Sequence, residues 1–586
     1  MSLQRSLIIC GLLILTPLFT ACGGSSGGSG AGVLSYYVDA ALGSDSNNGL
    51  SQSTAWQSLG KIASTTFNKP ATIYLKRGDI WRESLILPSS NISIDAYGSG
   101  ALPKIDGSTD ITAWVDEGGA IYSAVVTVGA GQALGNLSEN GNMLDFVAWD
   151  DDIATTFGTA PTGTYSYSYA ANTLYIKPST NPALNSYSAS ILLRGVFALA
   201  VSNIAVRNIE VTRISLNAIE FQDCANCAAE NVTVSRSGGA VIGANFVPSP
   251  DYLYAGNGID FSNNCVDGSV ANVTVSEIFD SCLAVELYKR NSAASAIGLA
   301  DAQLDRCGFA GVEISVLSNL GANTNSTING VAISSIGVDR AGKGWSGRRY
   351  GTEGHGMRII ADNGAGSMSN IRVDTSVVSD SAGDGFKLAG EINTLTLQRV
   401  RSTQNAGIGI NVAEPSALSL RLNLSSSIVD ANGGYGLSYN APAAAGFNIY
   451  HTSFYDNTTI NLAVLNQTGV ADIRNNLFYS SAPMTHLFSN AALVNPTVNN
   501  NCYNDTPNMF GYNGIAYSSV ANFEAKTGFE ANGIGTGSVG LMDPANGKFS
   551  LLMGSSCLGL GDASVGVSED YSGARYSASP SSGAYQ

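Results

Sequence analysis

Six charged residues stand at the centre of a short hydrophobic–x–hydrophobic phrase that recurs along the chain. Four are acids and the next two are bases: Glu220, Asp260, Glu286, Glu313, Arg358 and Lys387. Side chains of a strand alternate between its two faces, so the apolar neighbours would be buried and the central residue would point away from the core. Paired carboxyls suit general acid–base chemistry, and a neutral lysine suits the removal of a proton.

The recurrence of the phrase predicts the scaffold that positions these residues. Most steps between phrases are 22 to 29 residues long, and two steps of 40 and 45 leave room for loops. A repeat of this length, made of short strands and turns, indicates a solenoid whose coils stack about 4.8 Å apart. The central residues would then form one file along one face. The phrases are Ile219-Glu220-Phe221, Ile259-Asp260-Phe261, Val285-Glu286-Leu287, Val312-Glu313-Ile314, Met357-Arg358-Ile359, Phe386-Lys387-Leu388, Ile408-Gly409-Ile410 and Leu437-Ser438-Tyr439.

The composition is that of a large exported β protein. Only 13% of the 586 residues are charged, and no long stretch has the apolar period of a helix. A globular chain of this length would normally divide into several domains, whereas a solenoid grows linearly. The formal net charge of −16 argues against nucleic acid as a partner. We expect a monomer.

Residues 1–21 are predicted to be a targeting segment, in which Arg5 precedes an apolar stretch too short for a comfortable membrane span. Phe19-Thr20-Ala21-Cys22 resembles a bacterial lipobox with Phe in place of the usual Leu. Cys22 would then be the lipidated N-terminus of a flexible linker over residues 22–32. The alternative is ordinary signal-peptidase cleavage near Ala21. The expected location is the outer membrane of a Gram-negative bacterium, on its periplasmic or outer face, with the lipid as the membrane anchor.

Strand and turn patterns divide the remaining chain into four parts. Residues 33–108 are predicted to form an N-terminal cap and the first coils, because an uncovered coil would expose strand edges. Residues 109–188 break the repeat, and their alternating tyrosines with a turn at Ala171-Asn172 predict an inserted antiparallel β subdomain. Residues 189–520 carry the regular coils, and residues 521–586 form the C-terminal coils and tail. The predicted fold class is all-β.

Two cysteines mark equivalent positions of neighbouring coils. Cys224 and Cys265 each precede a matching Asn-Val-Thr-Val strand by seven residues, so they should stack. We expect stacked core thiols or a disulfide, which an oxidising compartment permits. Cys224 and Cys227 also have the spacing of half a zinc site, but no second pair or nearby histidine supports that interpretation.

The cap and the coils resemble those of bacterial right-handed parallel β-helix proteins, which is the predicted fold. Within it, Gly383-Asp384-Gly385-Phe386-Lys387-Leu388-Ala389-Gly390 closely resembles the Gly-x-Gly-Phe-Lys-Leu-Gly-Gly phrase of family-nine polysaccharide lyases, which are pectate-lyase-like enzymes. The resemblance implies that an anionic, uronate-containing polysaccharide is cleaved by β-elimination and that Lys387 is the Brønsted base. That family also places a calcium-binding aspartate cluster on the preceding coil. This chain has Gly354-His355-Gly356-Met357-Arg358 there, so the family's calcium site does not carry over.

Arg358 offers a substitute for that calcium. A lyase removes the proton alpha to a carboxylate, which requires that the carboxylate charge be neutralised. A guanidinium can do this with two parallel hydrogen bonds. Arg358 is expected one coil from Lys387, where its positive charge would also favour the neutral amine that a base must be.

Further residues are assigned to substrate and metal. A basic cluster, together with one histidine, is predicted to hold the anionic chain: Lys343, Arg348, Arg349 and His355. If calcium is a cofactor, its ligands are expected to be the hard carboxylate oxygens of Asp260, Glu286 and Glu313.

Other functions remain open at this stage. Glu286 and Glu313 are expected to be stacked neighbours about 5 Å apart, close to the carboxyl separation of retaining glycosidases, so a glycoside hydrolase is one alternative. A uronate epimerase would share the proton abstraction of a lyase, and a non-catalytic surface β-helix would use the fold without chemistry. Gly354-His355-Gly356 resembles a phrase of the polygalacturonases, but the paired aspartates of that family are missing, and we reject it.

Overall fold

The computed structural model describes residues 32–129, 132–147, 157–168, 171–242, 253–317, 325–345, 353–361, 366–413, 420–441, 446–465, 470–507 and 509–586. Strands dominate these ranges, which contain two α-helices, Leu59–Ala63 and Val520–Thr527. Four short 3-10 helices add to them: Gln52–Thr54, Pro182–Leu184, Pro544–Asn546 and Ala563–Val565. The strands of successive coils pair in parallel in two large sheets, which build a parallel β-helix with a cap and an antiparallel insertion. The predicted fold class is confirmed.

One sheet carries the predicted functional residues, and we call it the site sheet. In the described ranges it has fourteen strands, paired in parallel except for the last pair. Apolar side chains of each strand alternate with side chains that face away from the core. The strands are Leu85–Leu87, Arg194–Leu199, Asn217–Gln222, Ile259–Ser262, Ser281–Leu287, Ala310–Val316, His355–Ala361, Phe386–Gly390, Ile410–Ala413, Leu437–Asn440, Ile460–Leu465, Thr485–Ser489, Phe510–Tyr512 and Ile515–Tyr517.

The remaining sides of each coil belong to a second, larger parallel sheet. Its longest strands run through a corner that in other coils separates two short strands. The strands are Leu34–Val38, Ala71–Lys76, Ile80–Trp81, Ile92–Tyr97, Lys104–Asp106, Ser202–Arg207, Glu210–Thr212, Ala225–Glu230, Thr233–Ser235, Ser269–Ile278, Ala293–Cys307, Ser326–Asp339, Gly366–Asp374, Val377–Ser379, Leu395–Gln398, Arg401–Thr403, Leu422–Ser425, Ile428–Asp430, Phe447–Tyr450, Ser453–Tyr455, Val470–Arg474, Leu477–Tyr479, Val494–Asn499, Cys502–Asn504 and Ile534–Thr536.

The insertion is a pair of mainly antiparallel sheets between the first coils and the regular repeat. The tyrosine-rich hairpin forms as predicted, because Thr164–Ser168 pairs antiparallel with Thr173–Lys177. Tyr165 and Tyr167 are fully buried, so these rings are core of the insertion. The other strands are Ser108–Ile111, Val115–Gly118, Ile121–Val125, Leu137–Glu139, Asn142–Met143, Asp145–Phe146 and Tyr187–Ser190. Two small hairpins lie elsewhere, formed by Ala240–Ile242 with Leu253–Ala255 and by Leu541–Asp543 with Lys548–Leu551.

A continuous apolar core runs along the inside of the coils, and each end is closed by a helix. At the N-terminal end, Leu59 and Ile62 of the first helix are fully buried. At the C-terminal end, Phe523 stacks on Phe510 with ring centroids 4.3 Å apart. Covering both ends removes the exposed edges and core that an open solenoid would present.

Cys224 and Cys265 are neighbours in adjacent coils as predicted, as the Ala225–Val266 bridge shows. Of the two alternatives for this pair, the disulfide is wrong. Cys224 is bonded to Cys227, three residues away, and Cys265 is a buried free thiol. Two more disulfides, Cys282–Cys307 and Cys502–Cys557, join more distant parts of the chain.

Candidate functional site

Five of the six predicted residues stand in one file on the site sheet. Cα pairing puts Glu220 beside Asp260, Glu313 beside Arg358, and Arg358 beside Lys387. Ala284 lies between Asp260 and Glu313, and Asn411 follows Lys387. We call this the charged file: Glu220, Asp260, Ala284, Glu313, Arg358, Lys387 and Asn411.

Glu286 faces the same side but is not in the charged file. It pairs with Ser262 and Ser315, two residues along from the file position that Ala284 holds. The predicted direct stacking of Glu286 on Glu313 is therefore wrong, and the two are diagonal neighbours. Leu283-Ala284-Val285 also fits the hydrophobic phrase, and a shift of two residues keeps every side chain on its face, so the pattern alone did not distinguish the two registers. The same shift replaces Gly409 by Asn411.

The acids of the file are more enclosed than an outward-facing stripe implies. Glu220, Asp260 and Glu313 are only 1–2% exposed, whereas Glu286 is partly exposed. Burial raises the pKa of Glu286 well above its ordinary value, and the negative charges of Glu313 and Asp260 raise it further. The pKa of Asp260 is raised in the same way, by burial and then by Glu220 and Glu313. These two carboxyls therefore keep a proton more readily than ordinary acids.

Hydrogen bonds fix each of three acids from one side. Asn217 donates from Nδ2 to Asp260 Oδ2 at 3.2 Å, and Asn257 donates from Nδ2 to Glu286 Oε2 at 3.0 Å. Ser281 donates from Oγ to Glu313 Oε2 at 2.6 Å. Asp260 Oδ1 is buried and has no hydrogen-bond partner among the described residues.

Arg358 is bound within the protein. Its Nη1 donates to Glu313 Oε1 at 2.6 Å, and its guanidinium lies 4.9 Å from the centre of the Phe309 ring. With Ser281 on the other oxygen, both oxygens of Glu313 are engaged. The guanidinium predicted to neutralise a substrate carboxylate thus already compensates a carboxylate of the protein.

Lys387 lies beside Asp384, which is in the same glycine-rich phrase. The Lys387 Nζ atom is 3.6 Å from Asp384 Oδ2, and the lysine side chain is 25% exposed. Asp384 Oδ2 also accepts a hydrogen bond from Asn411 Nδ2 at 2.7 Å, and its Oδ1 accepts one from the Ile408 backbone N–H at 2.8 Å. Asp384 and Asn411 were missed at the sequence level, although Asp384 stands inside the phrase that identified Lys387.

His355 contacts the backbone of Asp384 and is almost fully buried. Its Nδ1 accepts a hydrogen bond from the Asp384 backbone N–H at 3.0 Å, which places the proton on Nε2, 3.3 Å from Glu353 Oε2. Burial lowers the pKa of His355. The following Gly356 is required by packing, because a Cβ there would stand 1.9 Å from a Val378 methyl carbon.

The other predicted substrate-binding residues are either ion-paired within the protein or outside the described ranges. Lys343 forms an ion pair with Asp380. Arg348 and Arg349 lie outside the described residues, as does Cys22 of the predicted lipobox. None of the helices in the described ranges is both long and apolar enough to cross a membrane.

The predicted calcium ligands do not form a metal centre. No group of three or more His, Cys, Asp or Glu side chains among the described residues has an arrangement that would hold a metal ion. The pKa values of Asp260 and Glu286 are raised by burial and by neighbouring negative charges, which weakens both as cation ligands, and Glu313 is paired with Arg358. A calcium requirement remains a prediction, and no chemical step below depends on it.

Comparison with known proteins supports the fold. No family model matches the chain, and no curated protein matches its sequence. Among solved structures, XylC in complex with xylose has a TM-score of 0.53 at 11% identity, over 94% of this chain and 98% of XylC. The A-module of a mannuronan C-5 epimerase from Azotobacter vinelandii has a TM-score of 0.38 at 11% identity, over 79% of this chain and 90% of the module. A lacto-N-biosidase from Eubacterium ramulus has a TM-score of 0.34 at 13% identity, over 82% of this chain and 66% of that enzyme.

Proposed function

We propose that this chain is a carbohydrate-active enzyme, and that the function its geometry supports best is glycoside hydrolysis with Glu286 as general acid and Glu313 as general base. The observation that carries the proposal is a pair of diagonally neighbouring carboxyls in unlike environments: Glu286 is partly exposed and bound by an amide donor, whereas Glu313 is paired with arginine. Such a division of two carboxyls into a proton donor and a charged partner is the arrangement that acid–base cleavage of a glycosidic bond requires.

The two roles follow from the two environments. Glu286 has one oxygen occupied by Asn257 and is partly exposed, so its proton can reach a leaving-group oxygen. Glu313 is held by Arg358 and Ser281, which compensate its negative charge and fix its orientation. Because these contacts occupy both oxygens, the Arg358 contact would have to open for Glu313 to take a proton from a water molecule.

The register gives the separation of the two residues at the backbone. One rung of about 4.8 Å and two residues of about 3.3 Å each place Glu286 and Glu313 about 8 Å apart there. Inverting and retaining glycosidases differ in the separation of their carboxyl groups, so the anomer released, read by proton NMR, distinguishes the two mechanisms. The fold shared with XylC, solved with xylose, agrees with a carbohydrate ligand.

A polysaccharide lyase, or a uronate epimerase, is the second candidate, and Lys387 is the observation that favours it. Its amine is partly exposed and sits in the phrase that resembles family-nine lyases. Two contacts count against it: Asp384 is ion-paired with the Lys387 amine, and Glu313 occupies Arg358. Proton abstraction from a uronate would require both ion pairs to open.

Parallel assays of three variants distinguish the two candidates. Purified protein is screened on neutral and uronate polysaccharides for new reducing ends and for the ultraviolet absorbance of 4,5-unsaturated products. We expect reducing ends without unsaturated products, and a loss of roughly 10²–10⁴-fold in kcat for Glu286→Gln and for Glu313→Gln. Lys387→Ala should keep most of the activity. Unsaturated products that disappear in Lys387→Ala would establish the lyase and overturn the hydrolase.

We also propose export and lipid anchoring through Cys22. The expectation rests on the lipobox-like Phe19–Cys22 segment. Cells expressing the full chain should incorporate labelled palmitate into it, and Cys22→Ser should abolish the label while secretion continues. Equal labelling of the Cys22→Ser variant would contradict the anchor.

A further inference from the structure

We propose that Asn257 is a positioning residue, which holds the Glu286 carboxyl in one orientation as part of a file of hydrogen-bond donors built into the coils. This inference rests on the proposed function of Glu286. The file consists of Asn217, Asn257 and Ser281, which occupy the same place in three successive coils, two residues before the paired Ile219, Ile259 and Leu283.

Each member of this donor file donates to an acid of the next coil. Asn217 reaches Asp260, Asn257 reaches Glu286, and Ser281 reaches Glu313. The next position in register is Ala310, which has no side-chain donor. In the coil after Ala310, the charged file holds Arg358 in place of an acid, and a guanidinium does not accept a hydrogen bond from a side-chain donor. The donors therefore follow the acids and stop where the acids stop.

Asn257 is the most constrained member of the donor file. It is 3% exposed, and its backbone N–H donates to Asn217 Oδ1 at 2.9 Å. Its own Oδ1 accepts from the Ser281 N–H at 3.1 Å, so its Nδ2 has to point at Glu286. The amide thus has one orientation, and it transmits that orientation to Glu286 Oε2. The other oxygen of Glu286 is left to carry the proton.

The test variant is Asn257→Asp, which keeps the acceptor for the Ser281 N–H and replaces the donor to Glu286 by an oxygen. We expect kcat on the best substrate to fall about 10²-fold at neutral pH, as for a misplaced catalytic group. Activity should return partly at acidic pH, where the introduced carboxyl is protonated and donates again. Carbon-13 NMR of glutamate-labelled protein, with the Glu286 resonance assigned through Glu286→Gln, should show a higher titration midpoint for Glu286, because a donor that favours the ionised form is gone.

Asn432→Asp is the matched control. Asn432 is equally buried, accepts from the Asn405 N–H through Oδ1 at 3.2 Å, and donates from Nδ2 to Asn457 Oδ1 at 2.9 Å, but it is remote from the acids. Its substitution should lower stability and leave the Glu286 midpoint and the pH profile unchanged. Asn257→Ser, too short to reach Glu286, gives the same measurement if Asn257→Asp does not fold. Asn257→Ser introduces no charge and therefore decides the outcome: a Glu286 midpoint that moves no more in Asn257→Ser than in Asn432→Asp would overturn the proposal.

The two proposals fail in different ways. The NMR midpoint needs no turnover, so it tests the contact between Asn257 and Glu286 even in an inactive protein. A shifted midpoint together with a fully active Glu286→Gln variant would remove Glu286 from catalysis and overturn both its catalytic role and the positioning role of Asn257. An unshifted midpoint with an inactive Glu286→Gln variant would overturn only the positioning role.

Discussion

Two adjoining segments of the site sheet, which we call the acid half and the basic half, place charges on one face but balance them differently. In the acid half, Asn217–Val316, four carboxyls share the face and none of its described strands supplies a cation there, so Glu220 and Glu313 are paired with arginines of flanking strands. In the basic half, His355–Ala413, Arg358 and Lys387 each have an acid partner. The pKa values of Asp260 and Glu286, which have no cation partner, are raised by burial and by neighbouring carboxyls, whereas both bases are held in ion pairs.

This difference bears on the proposed chemistry. Carboxyls outnumber cations only in the acid half, where the pKa values of Glu286 and Asp260 are raised. A free base or a free carboxylate-binding guanidinium would be needed in the basic half, and both of its cations are engaged. The comparison therefore favours acid–base hydrolysis over β-elimination on the same scaffold.

Removing Arg358 should have the largest effect on stability, because it joins the two halves. Arg358→Met leaves the Glu313 carboxylate buried without a cation and next to Glu286, and we expect a loss of about 3–5 kcal/mol in the free energy of unfolding. Urea denaturation measures it. In the double variant with Glu313→Gln, most of that loss should be recovered. A loss below about 1 kcal/mol for Arg358→Met would mean that the ion pair does not hold the halves together.

The sequence predicted the face and the neighbours of the charged file well. A strand period of two decides which side chains share a face, and the phrases around Glu313, Arg358 and Lys387 align without shift. The predicted position of Glu286 was wrong because two hydrophobic phrases, offset by two residues, satisfy the same period. The register there depends on the length of the preceding turn, which the hydrophobic pattern does not report.

The hydrogen-bond partners of turn residues could not be predicted from the sequence, for a different reason. Asn257, Ser281 and Asp384 act through hydrogen bonds to a neighbouring coil, and these depend on the path of the backbone around a corner. Cys224 likewise had two partners within reach, Cys227 and Cys265. Only the local path of the chain selects between them.

A second prediction compares the raised pKa values of the acid half with that of a carboxyl raised by burial alone. Glu530, at the C-terminal cap, is buried away from that cluster, and burial raises its pKa to about 7. Since its folded-state pKa lies above the ordinary value of 4.5, its contribution to stability is full below about pH 4.5 and is lost as pH rises through 7. The loss is about 3 kcal/mol.

Glu530→Gln should therefore flatten the fall in stability between these pH values. Glu286→Gln should also flatten it, because the pKa of Glu286 is raised by burial and by Glu313 and Asp260. Denaturation curves measured from about pH 4 to 8 check both variants. A Glu286→Gln curve parallel to the wild type, beside a flattened Glu530→Gln curve, would show that the acid half does not hold extra protons.

The smallest expected effect on stability is that of removing Lys387, and it is compared with the effect of removing Arg358. Its amine is 25% exposed and lies 3.6 Å from Asp384, so the pair is worth no more than about 1 kcal/mol. Asp384 keeps its bonds from Asn411 and from the Ile408 N–H without the lysine. Lys387→Met should thus change the free energy of unfolding by less than about 1 kcal/mol, measured beside Arg358→Met. An equal loss in both variants would show that the partly exposed Lys387–Asp384 pair contributes as much stability as the buried pair between Arg358 and Glu313 of the acid half, which would contradict this difference.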